Sequence, residues 1–195
     1  MRGALFVVAL AVALPALAGE STFVFKSEED PATPPDATFC AAQPFHANVL
    51  LGASLWSVKT RHRDGQVVNE KERRIGRATA CLQLTSLLFP EGLVQRFSIR
   101  LELPQGTYTA LGSCTISSND VPAPLIIMAG CTVKLLTGPT GTQGGMATSA
   151  SIFNPAHQAG FSTGSLWTLH EYVLDGVRRD DDDDRGEHDG DHDHH

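Results

Sequence analysis

The residues of this sequence with the clearest capacity for chemistry lie at its carboxyl end. Between Asp180 and His195 there are nine acidic residues, one arginine and four histidines, which are His188, His192, His194 and His195. Imidazole nitrogens bind Zn²⁺, Ni²⁺ or Cu²⁺, and carboxylate oxygens bind harder cations. The sequence therefore predicts a divalent-metal site in this tail. The alternative is a solubilising tail that holds metal only incidentally.

A second group of polar side chains lies in the segment that we expect to form the last strand. His170, Glu171 and Tyr172 follow one another there, and such groups can exchange protons in acid-base catalysis. Because side chains alternate along a strand, His170 and Tyr172 share one face and Glu171 takes the other. If the protein has a ligand cavity, we expect His170, Tyr172 and Tyr108 to line it. A histidine held only by structural contacts is the competing interpretation.

Residues Gly160–Gly164 match the G-x-S-x-G pattern, in which α/β-hydrolases present a serine nucleophile. That mechanism needs a strand, a sharp turn and a helix around the serine. Here an extended segment follows the pattern, so loop hinges explain the glycines better than a nucleophile at Ser162 does.

Basic residues gather around the sequence Asp64-Gly65. Six of them accompany three acids, and the six are Arg61, Arg63, Lys71, Arg73, Arg74 and Arg77. The excess can attract an acidic ligand, although a solvated hairpin is the favoured interpretation. Aromatic residues that would stack on bases are not interleaved with these charges, so the sequence predicts no nucleic-acid partner.

Four cysteines are the remaining reactive side chains. An even number in an exported chain favours two disulfides, for which three pairings are possible. We prefer Cys40 with Cys81 and Cys114 with Cys131. Buried free thiols are the alternative. A metal site is less favoured still, because there is no C-x-x-C and no histidine at ligand spacing from a cysteine.

The elements that position these residues are predicted to be strands. From Leu93 to Leu103 the odd positions are apolar except Gln95, which is the two-residue period of a half-buried strand. Pro104-Gln105-Gly106 is a turn, and two more strands follow up to Leu136. Similar patterns predict strands over Ser21–Phe25, His46–Thr60, Val67 onward, Ile75–Leu84, Met146–Phe153 and Ser165–Leu174.

Turn and loop signals separate these strands. Asp64-Gly65 between two extended runs predicts a hairpin. The proline-rich stretch 27–37 is expected to lie outside any sheet, and the glycine-rich stretch 137–145 is expected to be a turn or mobile loop. No segment of useful length has helical periodicity with caps. The prediction is an all-β fold, a closed antiparallel barrel of about eight strands, with a sandwich as the alternative.

Four segments in order resemble the allene oxide cyclase and dirigent barrels. They are Ile75-Gly76-Arg77-Ala78, Pro104-Gln105-Gly106-Thr107-Tyr108, Met128-Ala129-Gly130-Cys131-Thr132 and Gly144-Gly145-Met146-Ala147-Thr148. The resemblance covers roughly residues 50–153 and implies an antiparallel barrel with an apolar cavity. None of the catalytic acids or arginines of that family is matched to a position in this chain.

The two ends of the chain differ in composition from its body. Arg2, an apolar run and Ala16-Leu17-Ala18 form the pattern of a cleavable signal peptide, so a secreted or periplasmic location is expected. We therefore divide the chain into a signal peptide (1–18), a barrel domain (19–177) and a disordered Asp/His-rich tail (178–195). No later stretch is long and apolar enough for a transmembrane segment.

These observations leave three functional hypotheses. Because no complete catalytic constellation is visible, the first is an exported barrel that binds a small apolar ligand or acts as an envelope or extracellular interaction module. The second, implied by the resemblance, is a barrel enzyme that guides a cyclisation or coupling by confining an apolar substrate. The third is metal binding through the tail.

Overall fold

The computed structural model describes residues 18–174, which form a sheet closed into a barrel. Its eight antiparallel strands neighbour one another in chain order, and the last pairs with the first. They are β1 (Ala18–Glu29), β2 (Val49–Arg63), β3 (Gln66–Gln83), β4 (Val94–Leu103), β5 (Gly106–Ser118), β6 (Ile127–Thr137), β7 (Thr142–Phe153) and β8 (Gly164–Leu174), and a short helix, α1 (Ala37–Ala41), precedes β2. The prediction of an all-β barrel is confirmed.

The barrel is uneven where β2 and β3 extend beyond their neighbours. β1 pairs with β2 only over Phe25–Glu29, whereas β2 and β3 pair with each other as far as Arg63 and Gln66. The hairpin turn places both Asp64 and Gly65 at positive φ, 50° and 75°. This is the geometry that matches the twist of paired strands, and it confirms the predicted Asp-Gly hairpin.

Small residues on the inner face allow the wall to bend. Ala78 and Ala80 of β3 point into the barrel beside Ala53 and Leu51 of β2, as the cross-strand register shows. At Gly76 an added Cβ would collide with the main-chain carbonyl of Glu102, so β4 can approach there only because the side chain is missing.

Three boundaries differ from the sequence-based prediction. Ser27–Glu29 belong to β1 rather than to a loop, because the prolines begin only at Pro31 and leave the pairing with Gly164 and Ser165 intact. Residues 142–145 belong to β7 rather than to a turn, because the absent side chain of Gly145 lets the β8 backbone approach closely. The segments from Val67 and from Ile75 form one strand, β3, with pairing irregularities near Trp56 of β2.

Both preferred disulfides are confirmed. Cys40–Cys81 joins α1 to the outer face of β3, where Phe45 completes a small apolar cluster. Cys114–Cys131 joins β5 to β6 at directly paired positions and faces the barrel interior. Disulfides persist in oxidising compartments, so the two bridges indicate a location outside the cytoplasm.

The position of α1 is also set by its cap. Asp36 accepts hydrogen bonds from the Phe39 N–H at 2.9 Å and from the Arg100 guanidinium at 2.7 Å. The Phe39 hydrogen bond, followed by that from Arg100, holds the pKa of Asp36 below its ordinary range. A five-residue helix is too short to show a helical period, which explains why the sequence did not predict α1.

Within residues 18–174, the structure contains no helix with the length and apolar character needed to cross a membrane.

Candidate functional site

The two ends of the barrel differ in how the strands are connected. At one end the connections are short turns, including Asp64-Gly65 between β2 and β3 and Pro104-Gln105 between β4 and β5. At the other end the connections are longer, with residues 30–48, 84–93, 119–126 and 154–163. We call the latter the loop end. Binding residues concentrate in loops that a rigid scaffold positions, so the loop end is where a site is expected.

The interior near the short turns is packed. Leu55, Leu101, Tyr108 and Leu169 are each 0% exposed there and belong to one continuous apolar cluster. This core holds the strands together without leaving room for a ligand.

An apolar cavity of about 110 Å³ lies at the loop end. Its floor includes the stacked rings of Phe97 and Trp167, whose centroids are 6.0 Å apart and whose planes differ by 18°. The other aliphatic and aromatic side chains of the wall come from β2 to β7 and from the loop between β3 and β4. They are Val49, Leu51, Ala53, Ala78, Ala80, Leu82, Leu84, Phe89, Ile99, Ile116, Ile127, Ala129, Ile152 and Phe153. The cavity has the apolar character typical of small-molecule sites.

Polar groups occupy a restricted part of this wall. The Ser165 hydroxyl donates to Ser151 Oγ at 2.8 Å, and Ser151 Oγ lies 2.8 Å from Ser149 Oγ. The indole N–H of Trp167 donates to Ser27 Oγ at 3.1 Å. Ser27, Ser165 and Ser151 are direct cross-strand partners on β1, β8 and β7, so these serines form a polar stripe on one side of the barrel.

Gln95 of β4 is a further polar residue of the wall. It is 3% exposed and pairs across the sheet with Cys114, whose disulfide to Cys131 also faces the cavity. The side-chain amide of Gln95 makes no hydrogen bond to any residue between 18 and 174. It is therefore a buried hydrogen-bonding group that faces an apolar space.

Hydrogen bonds between loops hold the loop end together. The Asn119 amide donates to the carbonyl oxygens of Leu88 and Phe89 at 3.3 and 3.1 Å, and the Gln158 amide donates to that of Pro124. Phe89 is buried against Phe153, with ring centroids 5.8 Å apart, and forms part of the cavity wall. Its neighbour Leu88 is 81% exposed. The loop end is thus apolar both inside the cavity and on its outer edge.

Charged groups are almost absent from the cavity wall within the described range 18–174. Glu29, an exposed residue at the end of β1, is the one ionisable side chain among the lining residues. The next residue, Asp30, lies outside the cavity and accepts hydrogen bonds first from the Ser54 hydroxyl at 2.6 Å and then from the Ala32 N–H. These bonds lower the pKa of Asp30, and they serve the β1–β2 connection.

The structure does not bring the three predicted ligand-binding residues to the cavity. Tyr108 is 0% exposed within the packed core near the short turns. His170 and Tyr172 share a face of β8, as expected, but it is the outer face. The His170 Nδ1 atom lies 3.0 Å from Thr22 Oγ1 and 3.6 Å from a Glu20 carboxylate oxygen there. Of the three consecutive residues, Glu171 is the one that points inward, with Trp167 and Leu169, and it is 7% exposed and does not line the cavity.

The other sequence motifs are placed as follows. Ser162 is exposed in the loop before β8, and a strand rather than a helix follows it, so the arrangement of a nucleophile elbow is not formed. The predicted metal ligands His188, His192, His194 and His195 lie outside the described residues. Within residues 18–174, no group of three histidine, cysteine or acidic side chains is arranged to hold a metal ion.

The chain matches no protein-family model, and searches of curated proteins and of solved structures found no match to it. The ring of eight antiparallel strands agrees with the architecture that the resemblance to allene oxide cyclase and dirigent barrels implies. The cavity itself is therefore the feature that bears on function.

Sequence reasoning missed the polar residues that do line the cavity. Ser27 was expected in a loop, while Ser151 and Ser165 were expected in strands without a defined face. A signal did exist for Gln95, because it is the polar exception among the apolar odd positions of β4. A polar residue at an inward position of a strand indicates either that the strand register was assigned wrongly or that the position belongs to a functional site.

Proposed function

We propose that this protein binds one small, mainly apolar molecule in the cavity between Trp167 and Phe89. The observation that carries the proposal is the apolar wall around a space of about 110 Å³ at the loop end of a closed barrel. An apolar cavity of about 150 Å³ in another protein takes up benzene. A ligand of about that size, or the apolar portion of a larger one, suits this space.

The energetics support occupation of the cavity. A ligand that covers apolar wall removes that surface from water, which contributes about 25 cal/mol per Å² of apolar surface buried. Larger inward side chains at Ala53, Ala78, Ala80 or Ala129 would fill the space, yet each position carries alanine. A ligand that fills the space stabilises the folded state through binding.

The proposal includes export of the protein. The predicted signal peptide provides a route across a membrane, and the disulfides Cys40–Cys81 and Cys114–Cys131 suit the oxidising environment that follows. In that setting, the barrel carries or senses an apolar molecule outside the cytoplasm.

Filling the cavity tests the binding proposal directly. We expect Ala80→Leu to reduce the affinity for toluene at least tenfold, because the added carbons occupy the ligand's space. The matched control is Ala150→Leu, which adds the same atoms at an exposed position on β7. Isothermal titration calorimetry of the exported protein measures both affinities. Equal affinity of Ala80→Leu and the unchanged protein would place the ligand elsewhere.

Catalysis by confinement, as the dirigent resemblance suggests, is less well supported than binding. General acid-base chemistry needs a titratable group within hydrogen-bond reach of the substrate. Between residues 18 and 174 the cavity wall offers Glu29 alone for that role, and Glu29 is exposed at the end of β1. The wall favours retention of an apolar molecule over its chemical conversion.

We propose metal binding by the tail as a second and separate function. It rests on the four histidines interspersed with carboxylates, His188, His192, His194 and His195. We expect the full-length protein to bind Zn²⁺ and a chain that stops at Arg179 to lose that binding, since the truncation removes all four imidazoles. Calorimetric titration with ZnCl₂ compares the two proteins. Equal Zn²⁺ binding by both would end this proposal.

A further inference from the structure

The wall of the cavity includes a side-chain amide that hydrogen-bonds to no other residue of the described chain. Gln95 is 3% exposed, its side chain faces the apolar cavity, and its amide makes no hydrogen bond to residues 18–174. An amide carries two N–H donors and one carbonyl acceptor. These groups border the space of the cavity and are available to a molecule that enters it.

The serine stripe supplies a second hydrogen-bonding point in the same wall. Ser165, Ser151 and Ser149 have three hydroxyl protons. Ser165 donates to Ser151, Ser151 and Ser149 share a second bond, and Ser151 Oγ also lies 3.9 Å from the disulfide sulfur of Cys131. The third proton is therefore either free on Ser149 or directed from Ser151 to the Cys131 sulfur, a weak acceptor that a ligand oxygen can replace. Ser27 accepts from Trp167, which leaves its own proton free to donate.

The absence of charge within the cavity defines the ligand further. Glu29, exposed at the end of β1, is the one ionisable lining residue in the range 18–174, so the interior offers no cation for a carboxylate or phosphate. A buried charge without a partner is strongly unfavourable. An ionic ligand is thus disfavoured, whereas a neutral oxygen would find donors.

We propose that the cavity takes a neutral, mainly apolar molecule that carries a hydroxyl or carbonyl oxygen, and that Gln95 recognises this oxygen by a hydrogen bond. The inference rests on the proposed binding function and adds the ligand's chemical class. Gln95 is then a specificity residue, and the surrounding Leu, Ile, Ala and Phe side chains hold the rest of the molecule.

A pair of probes of nearly equal shape separates the polar and apolar parts of the proposal. Toluene and phenol differ by a methyl group in place of a hydroxyl, and both are neutral at pH 7. We expect the unchanged protein to bind phenol at least as tightly as toluene. We expect Gln95→Leu to weaken phenol binding about tenfold while toluene binding stays the same or tightens, because one hydrogen bond is lost and apolar surface is gained. Calorimetry measures all four affinities.

Stability provides an independent readout. Because the Gln95 amide has no partner in the described chain, Gln95→Leu is expected to unfold at the same or a higher urea concentration than the unchanged protein. Gln95→Met keeps an unbranched side chain like that of glutamine. If both Gln95→Leu and Gln95→Met unfolded at a lower urea concentration than the unchanged protein, Gln95 would have a structural role and the inference would be overturned.

The outcomes for ligand class and for binding are distinguishable. Toluene binding without phenol binding, or equal losses of both probes in Gln95→Leu, would overturn the role of Gln95 and leave the apolar site intact. Failure of both probes to bind the unchanged protein would overturn the binding function itself, together with this inference.

Discussion

Trp167→Ala is expected to lower the free energy of unfolding by about 3–5 kcal/mol, the range for removing a large aromatic side chain from a core. Trp167 is 2% exposed, and its ring stacks on Phe97 at 6.0 Å between centroids. Its indole N–H also donates to Ser27, so the substitution removes a buried hydrogen bond as well. Urea denaturation followed by circular dichroism measures the change.

The other tryptophan is the matched control for this prediction. Trp56 lies on the outer face of β2, with the Lys71 ammonium 4.4 Å from its ring centroid. Trp56→Ala removes the same side chain from a partly exposed position, so we expect a clearly smaller loss of stability. Equal losses for the two variants would contradict the idea that Trp167 forms the floor between the packed core and the cavity.

Removal of the disulfides is expected to produce the second large effect. Cys40–Cys81 closes a loop with a sequence separation of 41 and Cys114–Cys131 one of 17. In the chain-entropy account, the longer loop contributes about 4 kcal/mol and the shorter about 3 kcal/mol. We therefore expect Cys40→Ala/Cys81→Ala to be destabilised by about 1 kcal/mol more than Cys114→Ala/Cys131→Ala, as measured by urea denaturation.

The two double variants act as controls for one another. All four cysteines are at most 5% exposed, so packing losses on truncation are similar and the difference reflects loop length. If the Cys114–Cys131 variant proved the less stable, the bridge that lines the cavity would contribute through packing rather than through the unfolded chain. Full stability of either variant would contradict the loop-closure argument for that bridge.

The amino-acid pattern was sufficient to predict most of the strands and the Asp64-Gly65 and Pro104-Gln105 turns. The alternation from Leu93 to Leu103 and the Asp64-Gly65 turn depend on neighbouring residues only, and such local preferences can be derived from the sequence. The same holds for the absence of long helices within residues 18–174. Boundaries were less certain, because the pairing of Ser27 with Ser165 depends on a strand far along the chain.

The face of each strand that turns inward was decided by closure of the barrel. The two-residue period of β8 shows that His170 and Tyr172 share a face, but it does not show whether that face is inside. Pairing of β8 with β1 and β7 placed Trp167 and Glu171 inside and His170 outside. A strand with polar and apolar residues on both faces does not specify this choice by itself.

The cavity also belongs to the tertiary structure. It forms because Ala80 on β3, Ser151 on β7 and Ser165 on β8, which are distant in the chain, meet as small side chains at one end of the barrel. The volume of each side chain is known from the sequence. The volume left empty between side chains depends on which residues meet in the folded protein. The sequence alone therefore determined the strands and marked Gln95 as a polar exception on β4. Only the closed barrel decided that this amide faces an apolar space, because packing across a ring depends on residues far apart in the chain.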